Sequence, residues 1–364
     1  MLLLANGPGA LRRFMLPGLF VIALFATQFF RSGVDEAGDV LTHRFVGPTM
    51  GTQYTVKVVE RDLTEARQGQ ISQAILDQLE SVNAEMSTYR PDSFLSRLNA
   101  QRDENAVTVS ASLATVLAEA QRLHAASSGA LDVTVGPLVN AWGFGPEGRR
   151  KTPTNAELTT LQAHVGQRLL RFDASAKTLA KGHPDVYIDL SSIAKGYAVD
   201  RVAKALSALG LENYYVDIGG EARVLGLNAD GVPWRVGVER PDGGRGGVQE
   251  ILHLRGMSVA TSGDYRNYYE QNGRRISHTI DPRSGRPIEH RLASVTVLHA
   301  DCMTADAWAT AFNVLGPKEG LALAREQGLA ALFIIRQENG KFVVEQTSAL
   351  AQYLTPPSRA VPED

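Results

Sequence analysis

The sequence predicts an α+β fold with a mixed sheet, and three observations carry that expectation. Short β-branched and aromatic segments with two-residue alternation recur along the chain. Longer stretches with apolar residues at helical spacing separate some of them but not others. The resulting order is neither the strict strand–helix alternation of a doubly wound sheet nor the even spacing of an all-β fold. Of 364 residues, 44% are hydrophobic and 21% charged, so the body can bury a core without a metal or disulfide staple.

In chain order, Arg12 and Arg13 precede an apolar run at residues 14–30, which Arg31 closes. This is the layout of a signal-anchor segment, residues 1–31, with a run close to the about 20 residues that a membrane span needs. The arginines place the N-terminal end in the cytoplasm and the body outside. Phe29 and Phe30 occupy the region where a small-x-small cleavage site would lie. The expectation is therefore an uncleaved single-span anchor in the inner membrane with the body in the periplasm, a cleaved leader being the alternative. A linker at 32–44 follows, one domain spans 45–350, and residues 351–364 form a tail.

Within the domain, residues 54–59 alternate like a strand. Residues 64–86 place Ile71, Ile75, Leu79, Val82 and Met86 on one helical face, and a second helix covers 112–126. Residues 129–153 read as loop-rich. Gly143, Gly145 and Gly148 match a GxGxxG pattern there, but no strand precedes them and no helix follows, so they are turn glycines. Further strands are expected at 186–190, 214–217, 234–239, 258–261, 292–298, 331–336 and 341–345. Helices are expected at 195–209, 305–315 and 318–327, with Gly316 and Pro317 stopping the second of them.

The charge balance, 37 Lys and Arg against 39 Asp and Glu, leaves a net charge of -2 and no footprint for nucleic acid. Cys302 is the single cysteine, which excludes an intrachain disulfide, a redox thiol pair and a Cys-based zinc site. There is no GxxxxGK[ST] loop, HExxH or GxSxG.

Three constellations carry chemistry. In the helix at 305–315 the polar members Asp306, Thr310 and Asn313 share one face of an otherwise apolar cylinder. A buried carboxylate must meet a cation or several donors, and a carboxylate and a hydroxyl one turn apart suit Mg²⁺. The alternative is that Asp306 answers the helix dipole from the first turn and Thr310 bonds back to a carbonyl. The second runs from Ile188 to Tyr197, where a strand enters a helix whose start carries Ser191, Ser192 and Lys195 beside Asp189. Free N–H groups, the positive dipole end and an ammonium there suit a phosphate; a Ser N-cap with a solvated lysine is the plainer reading. In the third, His278 sits in a short alternating strand that ends at Asp281-Pro282, with Arg283 and Arg286 following, which marks either a site edge or a structural histidine. Gly219-Gly220 after the strand at 214–217 lets a ligand or another backbone approach.

Taken together, Met50-Gly51-Thr52, Met86-Ser87-Thr88-Tyr89-Arg90-Pro91, Ser93-Phe94-Leu95-Ser96-Arg97-Leu98-Asn99, Gly129-Ala130-Leu131-Asp132-Val133-Thr134, Asp189-Leu190-Ser191-Ser192-Ile193-Ala194-Lys195-Gly196, Asp217-Ile218-Gly219-Gly220, Thr261-Ser262-Gly263-Asp264-Tyr265, Ser277-His278-Thr279-Ile280-Asp281-Pro282 and Ala305-Asp306-Ala307 resemble, in this order, the ApbE family of FAD:protein FMN transferases. The resemblance covers nearly the whole body. It implies that FAD is split at its pyrophosphate and that the FMN half is attached through a phosphodiester to a Ser or Thr of another protein, typically a subunit of a membrane redox complex. It also implies Mg²⁺ dependence and action outside the cytoplasm. Carried over, Met50, Tyr89, Ala130, Leu131, Asp132, Asp189, Lys195 and Ile276 would line the FAD site. Asp306 and Thr310 would hold the metal by their side chains, and Ser192 and Cys302 by backbone carbonyls. His278 would steer or deprotonate the acceptor hydroxyl, since imidazole suits proton transfer near neutral pH. Two departures stand out: no N-terminal cysteine is present for lipid attachment, and Leu131 replaces a frequent aromatic. An FAD pyrophosphatase using water and a flavin carrier without turnover remain as alternatives.

Overall fold

The structure is a computed structural model that describes residues 41–354, apart from 147, 149–151, 242–246, 264–267 and 272–273. The expected anchor segment at 1–31 lies outside the described residues. Among the described residues no helix is long and apolar enough to cross a membrane.

An eight-stranded sheet organises the body. Its strands are β1 (Thr42–Thr49), β2 (Thr52–Val59), β3 (Tyr214–Ile218) and β4 (Glu221–Leu225), then, beyond a separate hairpin of β5 (Trp234–Glu239) and β6 (Val248–Leu254), β7 (Met257–Gly263), β8 (Leu292–His299), β9 (Ala330–Arg336) and β10 (Phe342–Gln346). The spatial order is β1-β2-β3-β4-β7-β8-β9-β10. β1 and β2 join through Met50 (φ 49) and Gly51 (φ 72), the left-handed pair that a two-residue hairpin requires.

The α+β expectation holds, but the sheet is not mixed: every ladder in it is antiparallel. The reason lies at residues 186–190. A strand there, followed by a helix and β3, would have made a parallel crossover, yet this segment joins no ladder. Its backbone is satisfied elsewhere: Ile188 N–H donates to Asn99 Oδ1 at 2.8 Å, Ile188 C=O accepts from Asn99 Nδ2 at 2.8 Å, and Asp189 N–H donates to Val133 C=O at 2.8 Å. The domain also reaches past its expected bounds. β1 begins inside the expected linker because it pairs along its length with β2, and the helix Ala351–Leu354 occupies the start of the expected tail, with Tyr353 and Leu354 against the core.

Four helices pack on this sheet: α1 (Glu65–Met86), α2 (Ala111–Ala126), α3 (Ala194–Ala208) and α4 (Cys302–Glu326). The predicted face of α1, from Ile71 to Met86, is buried. α4 is two helices end to end, broken at Gly316 (φ 76) before Pro317, so the expected stop is real. The stretch at 129–153 is less loop-rich than expected, since it contains the helix Gly136–Ala141, with Pro137 in its first turn.

The sheet buries both faces. On one side Val56, Val216, Val297 and Phe333 meet α1, α2, α3 and α4; on the other Val224, Leu332 and Ile334 meet Trp234, Val238 and Leu252 of the hairpin. In β9 the alternation assigns Ala331 and Phe333 to the first core and Ala330, Leu332 and Ile334 to the second. At about 25 cal/mol per Å², each fully buried Leu, Ile or Phe contributes roughly 1.5–3 kcal/mol, which makes this two-sided sheet a stiff base for the helix ends above it.

Candidate active site

Helices α3 and α4 meet where each begins. α4 starts at Cys302 with no cap from its own Asp301; instead the Asp200 carboxylate of α3 accepts Cys302 N–H at 3.0 Å and Met303 N–H at 2.9 Å. In return Asp306 Oδ2 accepts Gly196 N–H, in the first turn of α3, at 2.9 Å. The α3 start has no side-chain cap of its own, its N-cap residue being Ile193 rather than a serine, so Asp306 does that work. Gly196 is needed for the crossing, because a Cβ there would lie 2.3 Å from Cys302 C=O and 2.8 Å from Asp306 Cβ.

Asp306 lies in the second turn of α4, so the reading in which it only answers its own helix dipole does not hold. Burial pushes its carboxyl up, against the opposing pull of Lys195 and of the Gly196 hydrogen bond. Lys195 Nζ pairs at 2.6 Å with Glu221 Oε2 on β4. Burial, reinforced by Asp306, pushes Glu221 up to about 8 despite that partner. Sequence reasoning passed over Glu221: Gly219-Gly220 marked a place where a ligand or another backbone could approach, but nothing local tied the acid that follows to Lys195.

These groups wall a cleft of about 360 Å³. Asp189, Ser192, Lys195, His278, Asp306 and Thr310 all line it, with Tyr89 at its mouth, so three constellations separated in sequence converge on one site. Asp189 Oδ1 accepts Ser191 N–H at 2.9 Å, which shapes the turn into α3. His278 lies in a bend just after the strand Arg274–Ser277, not within it, because Thr279 N–H turns back to Ser277 Oγ at 3.2 Å. The imidazole meets Phe144 edge-on at 6.2 Å, and Asn313 Nδ2 holds the neighbouring Thr279 Oγ1 at 3.1 Å.

The remaining resemblance-derived residues do not line this cleft. Met50 forms the β1–β2 turn, and Ala130 and Leu131 are buried. Asp132 ties its own loop, accepting from Thr134 N–H at 2.8 Å and Gln167 N–H at 3.2 Å. Ile276 packs toward Leu138, Trp142 and Ile280. Cys302 is fully buried with Sγ toward Ala222 C=O at 3.7 Å, and its own carbonyl abuts Gly196. Elsewhere His164, His183 and Asp185 cluster at the surface, but Asp185 is committed to Arg102 at 2.6 Å and His183 Nδ1 accepts Asp185 N–H, an ordinary polar surface group.

The donor set suits a hard divalent cation. Three carboxylates, Asp189, Glu221 and Asp306, share the cleft with one ammonium, Lys195, and with hydroxyls of Ser192 and Thr310. All three acids are buried, burial pushes Glu221 and Asp306 toward the neutral form, and Asp306 pushes Glu221 further, which is the charge imbalance a divalent ion offsets.

The ApbE family model matches residues 50–333. The chain belongs to the ApbE family. It is 49% identical over 296 residues to the FAD:protein FMN transferase of Vibrio cholerae, covering 81% of this chain and 87% of the relative. It is 38% identical over 330 residues to the enzyme of that name from Escherichia coli, covering 88% and 93%. Among solved structures, the flavin transferase ApbE from Vibrio cholerae superposes with a TM-score of 0.79 at 45% identity, over 86% of this chain and all of that one. The apo flavinyl transferase ApbE of Pseudomonas stutzeri gives 0.80 at 41% identity, over 88% and 99%.

Proposed function

We propose that this ApbE-family protein transfers the FMN part of FAD to a Ser or Thr hydroxyl of another protein, with AMP leaving and Mg²⁺ required. The observation that carries the reading is the convergence of Asp306, Thr310, Lys195 and Glu221 on one cleft, in a chain that shares its family and most of its length with enzymes named for this transfer. In that step an acceptor O–P bond forms, the bridging P–O bond of the pyrophosphate breaks, and the hydroxyl proton must be taken up. His278, which lines the cleft, would receive it. Lys195 and the start of α3 present an ammonium and a positive dipole end to the phosphates. Asp306 and Thr310 would hold Mg²⁺, with the Ser192 carbonyl; the ion supplies the positive charge that eases in-line displacement at phosphorus. The acceptor is read as a subunit of a membrane redox complex, and the body as standing on the periplasmic face behind the anchor segment at 1–31.

The deciding experiment is mass spectrometry of such a subunit after incubation with the protein, FAD and Mg²⁺. A gain of one FMN, abolished by EDTA, supports the transfer. Free FMN and AMP with an unmodified acceptor would instead favour hydrolysis, and intact FAD would favour a carrier.

A further inference from the structure

A second cleft, of about 340 Å³, opens beside the first. The two share Lys195, Glu221, Thr261 and Gly263, so the Lys195–Glu221 ion pair is the partition between them. We infer that this second cleft is the docking groove for the acceptor segment, which enters as an extended chain along β5 and delivers its hydroxyl to the Lys195–Glu221 partition. This rests on the transfer reading, in which FAD and a protein segment meet at one reaction centre and two adjoining clefts give each its own approach.

Three features of the groove fit a polypeptide. β5 pairs with β6 alone, in a two-stranded sheet, so its other edge carries no ladder among the described residues and is open to an added strand. Along β5 the side chains of Trp234 and Val238 turn to the core, while Arg235 and Gly237 are exposed. Opposite Gly237 across the hairpin stands Ile251, 37% exposed, and Val248, 53% exposed, lies 3.4 Å from where a Gly237 Cβ would be. This apolar shelf lies outside the cleft's own lining and meets it at the bare Gly237, next to a wall of mixed charge from Lys57, Asp217, Arg235 and Glu239, which is the make-up of a protein-binding surface rather than of a flavin pocket. At Gly220 a Cβ would meet nothing within 4 Å, so the floor next to the partition is clear for a main chain.

Gly237→Tyr fills the shelf and Arg235→Glu reverses its charge; both positions are exposed, and the Gly237 backbone lies outside the left-handed region, so each chain can fold. With FAD, Mg²⁺ and the purified redox-complex subunit as acceptor, each variant should raise the KM for acceptor about tenfold, the scale of one lost docking contact. FAD affinity, read by flavin fluorescence, and slow FAD hydrolysis without acceptor should stay at the wild-type level. Unchanged acceptor KM in both variants overturns the groove. Loss of FAD affinity in step with transfer also overturns it, by assigning the cleft to FAD. A wild-type protein that modifies no acceptor overturns the transfer reading itself, and the groove with it.

Discussion

Asp306 Oδ2 accepts the Gly196 backbone N–H at 2.9 Å, so one carboxylate both caps helix α3 and faces the cleft. These duties separate by substitution. Asp306→Asn keeps an acceptor for Gly196 but loses the charge, so it should retain the wild-type fold while transfer falls to the EDTA-treated level. Asp306→Ala removes the acceptor as well and should cost about 1–3 kcal/mol of stability, the penalty for a buried N–H left unpaired. Urea melts of both variants beside a turnover assay check this; an active Asp306→Asn would remove Asp306 from the metal site.

Gly196 sits at the tightest point of the α3–α4 crossing. A methyl there would press on Cys302 C=O, which is backbone and cannot rotate away. Gly196→Ala should therefore cost about 1–3 kcal/mol through overpacking and push α4 off α3. Thermal unfolding reads the cost, and Mg²⁺ titration reads the displacement of Asp306. A variant with unchanged Tm and unchanged Mg²⁺ affinity would show that the two helices can part without loss.

Much of this site was legible locally. The polar stripe of α4 follows from helical spacing alone, and the Asp189-to-Lys195 turn from its serines and the helix behind it. What stayed hidden depended on partners far away in sequence. Residues 186–190 alternate like a strand, but their hydrogen bonds go to the Asn99 side chain and the Val133 carbonyl, and no pattern within the segment announces that. Glu221 was missed for the same reason: its meaning comes from Lys195 at 2.6 Å, on a different element. The mutual capping of α3 and α4 by Asp200 and Asp306 is likewise tertiary.

Glu221 predicts a pH dependence opposite to that of an ordinary surface acid. Its folded value, up to about 8, stands above the ordinary 4.5, because burial outweighs the pull of Lys195. Folding thus takes up a proton, and the stability from this group is full below about 4.5 and lost as pH rises through about 8. In EDTA the wild-type Tm should decline between pH 5 and pH 9, and Glu221→Gln should flatten that decline while matching wild type near pH 5. Parallel curves for the two proteins would mean that the ion pair with Lys195 keeps Glu221 charged throughout.

His278 is held from two sides, by Phe144 against its ring and by the Asn313–Thr279 hydrogen bond one residue along. If it takes the acceptor proton, His278→Ala should lower kcat for transfer by about 10²–10⁴-fold, the usual worth of a positioned general base, and leave FAD affinity intact. Asn313→Leu tests the support. It removes the donor to Thr279 without touching the imidazole, so it should lower kcat by less than His278→Ala does, and the two losses should not add, because both act through the same ring. A double variant whose losses multiply would separate Asn313 from His278, and a His278→Ala protein that binds FAD poorly would move the histidine from proton transfer to substrate binding.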